Sequence, residues 1–140
     1  MKINLTANSH DYPSSIEISI TGNKEAYIQI SDEIKQLTSS TIFLFTEKES
    51  EFYKNKIDTL NCIIKESTNG LLDLSLEKNS LNISGDKVAF IKLSEILLSF
   101  SEFENTSYDI NSHFHLDYFE GNEILSETSI SLILELEIQN

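Results

Sequence analysis

The sequence has no arginine, no tryptophan, one cysteine and one proline. Each scarcity excludes something. A lone cysteine, Cys62, forms no internal disulfide, so the fold rests on an apolar core and a reducing compartment is expected. Cys62 lies in the apolar run 60–64, with no His or Lys adjoining it to favour a thiolate, and reads as a small buried hydrophobe rather than a reactive thiol. Without arginine, clamping of phosphate or oxyanion would fall to Lys and backbone alone. The glycines stand at 22, 70, 85 and 121, too scattered for a phosphate loop, and no Ser occupies a Gly-x-Ser-x-Gly elbow. No stretch approaches the ~18 apolar residues of a membrane span, and the first residues lack the apolar core of a secretory signal. The expectation is a cytoplasmic chain with no catalytic residues and no cofactor.

What is present is acid. The chain of 140 residues holds 23 Asp and Glu against 10 Lys. Residues 1–70 carry 7 Lys and 10 acids, residues 71–140 carry 3 Lys and 13 acids, and no basic residue follows Lys92. Nucleic acid and anionic membrane surfaces need positive charge, so both are excluded as expected partners. The expected partner is a basic protein; the alternative reading of the acidity is solubility. Length and composition fit one globular domain spanning 1–140.

Two segments resemble each other at an offset of 63. Gly22-Asn-Lys-Glu-Ala-Tyr-Ile-Gln-Ile-Ser31 and Gly85-Asp-Lys-Val-Ala-Phe-Ile-Lys-Leu-Ser94 are identical at five of ten positions. Each follows a strand pattern, turns at the glycine, and places Asn23 or Asp86 where a helix N-cap accepts an orphan backbone N–H. The apolar spacing predicts helices over about 24–38 and 87–103. This reads as a duplicated strand–Gly turn–helix unit, with convergent local grammar as the alternative. Strands are predicted at 2–7, 15–21, 41–46, 60–65, 71–77, 80–84, 113–119 and 129–138, with turns at Lys78-Asn79 and Asn69-Gly70 and a polar loop over 46–56. The expected fold class is α+β: a mostly antiparallel sheet with two helices packed on one face.

On an extended strand, His113, His115 and Asp117 share one side. They are the weak candidates for a metal site, which would still need ligands from elsewhere, and His10 belongs to the N-terminal region. No metal is expected.

The run His113-Phe-His-Leu-Asp-Tyr-Phe-Glu-Gly-Asn122, followed by Leu125-Ser126 and Ser129-Ile-Ser-Leu-Ile-Leu134, resembles the C-terminal part of the immunity protein 32 family of bacterial polymorphic toxin systems. The resemblance implies a small α+β protein that binds a cognate toxin domain and neutralises it by occlusion or charge complementarity. The charge adds that such a toxin would be basic, for example nuclease-like. Candidate partner-binding residues are Glu102, Glu104, Asp109, His113, His115, Asp117, Glu120 and Glu123, with Glu47, Glu49 and Glu51 of the polar loop as the fallback surface. Gly121 could serve only a turn, and Ser126 and Ser129 only local backbone. The alternative function is a non-catalytic structural or regulatory protein that self-associates, as a homodimer for example, through a sheet edge or face.

Overall fold

A computed structural model describes residues 1–12, 15–46, 55–102 and 112–137. The elements are β1 (Thr6–Tyr12), β2 (Ser15–Gly22), α1 (Lys24–Lys35), β3 (Thr41–Leu44), β4 (Asn55–Ile57), β5 (Thr59–Ile64), β6 (Asp73–Glu77), β7 (Ser80–Gly85), α2 (Lys87–Ser101), β8 (Ser112–Leu116) and β9 (Ser131–Leu136).

Both helices start as the local chemistry dictates. The Asn23 side chain accepts from the Ala26 N–H at 2.8 Å, and that of Asp86 accepts from the Ala89 N–H at 2.9 Å. These caps satisfy donors that the first helical turn leaves unpaired. The stripe Ala26, Tyr27, Ile30 and Ile34 is buried on α1; Ala89, Phe90, Leu93, Leu97 and Phe100 are buried on α2. The two stripes meet, since α1 packs on α2. Residues on both helices and on both sheets form a common core.

The class is α+β with mostly antiparallel pairing, as expected, but the strands are shared between two sheets. One has the order β4-β1-β2-β9-β8 and the other β3-β5-β7-β6. The halves of the chain interlock. Hairpin β1–β2 of the first half joins hairpin β8–β9 of the second through a parallel β2–β9 pairing. Hairpin β6–β7 of the second half joins β3–β5 of the first through a parallel β7–β5 pairing. Registers correspond: Ile18 faces Leu132, and Leu81, its match at the 63-residue offset, faces Leu60. Each half therefore runs hairpin, helix, hairpin, with β4 added in the first.

The glycine before each helix lets another segment approach closely. A Cβ on Gly85 would stand 2.9 Å from the Leu72 side chain and 3.0 Å from Ala89; one on Gly22 would collide with Leu5. Leu5 and Leu72 occupy matching places, and their carbonyls accept from matching N–H groups, those of Thr46 and Ser126.

Several boundaries shift. Ile3, Leu5 and Ala7 alternate into the core as expected, yet the first ladder begins at Thr6 and continues to Tyr12. His10 is thus a strand residue, 3.2 Å from the Ser19 hydroxyl. Asn55 and Lys56, expected in the polar loop, belong with Ile57 to β4; residues 47–54, with Glu47, Glu49 and Glu51, lie outside the described residues. The Lys78-Asn79 and Asn69-Gly70 turns are present, with φ of 55° at Lys78 and 56° at Asn69. Burial pushes the Cys62 thiol up to about 12, which fits a packing residue and removes the reactive-thiol reading.

Candidate partner-binding groove

Among the described residues, the halves differ in how the strand after each helix leads on to the next pairing. In the first half, β3 runs directly from buried Phe43 into Leu44 and Phe45, which pair with the N-terminal segment and Asp58. In the second, β8 ends at buried Leu116, and pairing with the segment before β6 resumes only at Ile124, whose carbonyl accepts from the Leu72 N–H at 2.7 Å. Residues 117–123 are an extra excursion between them.

That excursion forms one wall of a groove of about 810 Å³, with α2 opposite and β8 beside it. The floor is apolar: Ile96, Phe100, Phe114 and Leu116. The Phe114 ring stacks at a tilt on Phe100, 6.5 Å between centroids, and Phe100 in turn meets Tyr27 edge-on at 5.1 Å. Phe114 and Phe119 remain 40% and 64% exposed, so the apolar lining opens to solvent. A volume of this order, apolar lining and a few polar groups are the usual character of a binding cleft.

Asn122 shapes the excursion. Its side-chain oxygen accepts from the N–H groups of Ile124 (3.0 Å) and Leu125 (2.6 Å), and its NH₂ donates to the Phe119 carbonyl at 2.7 Å. Gly121 beside it takes a φ of 88°. Lys92 closes one end: its ammonium donates to the carbonyls of Gly70 at 3.2 Å and Glu123 at 2.9 Å, tying α2 to the excursion. Beyond the wall, the Ser126 and Thr128 hydroxyls donate to the Asp73 carboxylate, at 2.7 and 2.6 Å. The Ser129 oxygen accepts from the Leu74 N–H at 3.0 Å. These side chains fasten the segment to β6, while the Ser129 N–H closes a local turn on the Ser126 carbonyl at 3.1 Å.

Among the described lining residues, Glu95, Asp117 and Glu123 bring carboxylates to the groove, and Lys92 brings the one ammonium, already engaged by backbone oxygens. The rim is acidic.

The expected site residues divide as follows. His113, Asp117 and Glu123 line the groove. His113 faces Glu135 across the β8–β9 ladder, with its Nδ1 3.6 Å from the carboxylate. His115 and Glu120 are exposed without lining it, and Glu102 is exposed at the end of α2. Glu104 and Asp109 lie outside the described residues. Strand β8 stops at Leu116, so Asp117 does not continue the His113–His115 row, and among the described residues no group of three His, Cys, Asp or Glu could hold a metal. The α2 side of the groove, with Glu95, Ile96 and Phe100, carries no sequence signal beyond the apolar spacing of a helix.

Residues 80–137 match the family model of immunity protein 32. This extends the resemblance carried by 113–134 back through β7 and α2, so the matched stretch includes both walls of the groove. No curated protein and no solved structure matches the chain. No helix among the described residues is long and apolar enough to cross a membrane.

Proposed function

We propose that the chain is an immunity protein that binds a cognate bacterial toxin domain and blocks it, acting in the cytoplasm of the producing cell without catalysis of its own. The observation that carries this reading is a coincidence of position: every described residue lining the groove falls between 92 and 124, inside the stretch that matches immunity protein 32. The net charge of −13 favours a basic toxin such as a nuclease, because complementary fields speed encounter and disfavour wrong partners.

The test uses the purified full chain and the toxin domain encoded beside its gene. Size-exclusion chromatography with light scattering is expected to show a one-to-one complex, and stopped-flow mixing an association rate that falls as salt rises. A neighbouring gene without a toxin domain, or a toxin domain that elutes unbound, removes the reading.

A second reading has its own observation. Ile42 and Leu44, on the same face of edge strand β3, are 59% and 47% exposed. Self-association there would appear as a concentration-dependent dimer mass that Ile42→Lys abolishes.

A further inference from the structure

The groove has a third kind of boundary besides helix and excursion. His113 and Phe114 are consecutive strand residues whose side chains leave opposite faces of β8, yet both line it. A concavity that touches both therefore meets the margin of the sheet. Among the described strands β8 pairs only with β9 and ends its sheet. An outer strand leaves one row of backbone N–H and C=O groups without a ladder partner, which is a template for another extended chain.

Charge and apolar surface narrow the choice of occupant. Glu95, exposed on α2, faces the groove from one side; Asp117 and Glu123, also exposed, face it from the other. Lys92, the only basic lining residue among those described, already donates to two backbone carbonyls. Between the carboxylates lies the apolar floor of Ile96, Phe100 and Phe114. An extended chain with alternating side chains can present apolar groups to such a floor and cations to such a rim.

We propose that the groove receives an extended basic segment of the partner as an added strand on the outer edge of β8, which no other described strand pairs with. An apolar side chain of that segment seats on Phe100 and Phe114, and Lys or Arg residues pair with Glu95, Asp117 and Glu123. The proposal rests on the toxin-binding reading and specifies where and how the toxin is held. Backbone pairing supplies the alignment and the rim supplies preference for a cationic sequence.

The experiment is hydrogen-exchange mass spectrometry on the full chain, alone and with the toxin domain encoded beside its gene, together with affinities by calorimetry. Peptides spanning β8 are expected to exchange about tenfold more slowly in the complex, as an edge strand gaining a partner should. The double variant Glu95→Lys/Glu123→Lys, at two exposed positions, is expected to weaken binding about tenfold or more. Glu25→Lys/Glu66→Lys, at two exposed positions outside the groove, makes the same change in net charge and should alter binding little. A complex that forms while β8 exchanges as in the free chain and the groove double variant binds like Glu25→Lys/Glu66→Lys overturns the strand-addition proposal and leaves the toxin-binding reading standing. Absence of any complex overturns both. Equal β8 protection in the chain alone, rising with its concentration, assigns the edge to a second copy and also overturns the proposal.

Discussion

The hydroxyl of Ser31 donates to the carbonyl of Ser94 at 2.7 Å across the contact of the two helices. Both residues are buried, and they close the two matching ten-residue segments, so the hydrogen bond joins like positions of the two halves. The Ser94 hydroxyl instead donates to the Ile91 carbonyl within its own helix at 2.7 Å. Ser31→Ala is expected to cost about 1 kcal/mol by loss of one buried hydrogen bond. Ser31→Leu forces a larger side chain into the helix crossing and should cost roughly 1–3 kcal/mol. Urea denaturation gives both values, and equal midpoints for Ser31→Leu and the parent would show that the helices are not in close contact there.

The close approach at Gly85 makes its own prediction. A methyl group there meets Leu72 and Ala89 at 2.9 and 3.0 Å, and the Leu71 carbonyl at 3.2 Å. Leu72 is itself wholly buried and cannot swing away. Gly85→Ala should therefore lower stability by about 1–3 kcal/mol, as overpacking does, and pairing it with Leu72→Ala should recover part of the close contact. Thermal unfolding of the two single variants and the double variant checks this: strictly additive losses would argue against a clash.

Asp86 carries a pH dependence. Its carboxylate accepts from the N–H groups of Ala89, Thr68 and Gly70, at 2.9, 2.9 and 3.0 Å. The Thr68 and Ala89 backbone bonds, then that from Gly70, hold its pKa down at about 2. A carboxyl depressed in the folded state adds stability that is fully present above its unfolded value, about 3.9, and is lost as pH falls through the folded value. The contribution should fade between about pH 4 and pH 2. Asp86→Asn should flatten the acid limb of stability against pH in that window, measured by urea denaturation at stepped pH; an unchanged limb would place the effect on other carboxylates.

Asn122 is the residue that holds the groove's outer wall. Asn122→Ala removes three hydrogen bonds to backbone, at Phe119, Ile124 and Leu125. The expected result is faster amide exchange at Ile124 and Leu125 and weaker toxin binding, with a stability loss of about 1–2 kcal/mol. Slowed rather than hastened exchange at these two amides would contradict the assigned bonding.

Much of this architecture could be read in advance because it is local. Asn23 and Asp86 cap their helices by a rule three residues long, and Lys78-Asn79 turns by a rule of two. The pairing of β2 with β9 could not, since strands more than a hundred residues apart carry no mark naming their neighbour. The same holds for the division into two sheets, because alternation tells which side of a strand is apolar but not which sheet it joins. The first ladder ran past its apolar part because Asn8, Ser9 and His10 are polar yet lie in β1, with Asn8 and Ser9 buried. Of the groove, the sequence showed the residues with unusual chemistry, His113, Asp117 and Glu123. It hid the α2 wall, where Ile96 and Glu95 look like any helix surface, and the excursion 117–123, which stands out only when the two halves are compared in space.

The exchange of hairpins between halves also governs how the molecule can be made. Strand β2, complete by residue 22, must wait for β9 at Ser131–Leu136 before it gains its parallel neighbour. On a ribosome the first sheet therefore closes only after residues 131–136 have emerged, and the slow closing of such distant pairs is expected to dominate refolding. For the same reason an excised fragment of residues 80–137, though it holds the whole matched stretch, would leave β7 without β5 and β6 and β9 without β2. The groove can be borrowed for another scaffold only together with the amino-terminal half that props it up.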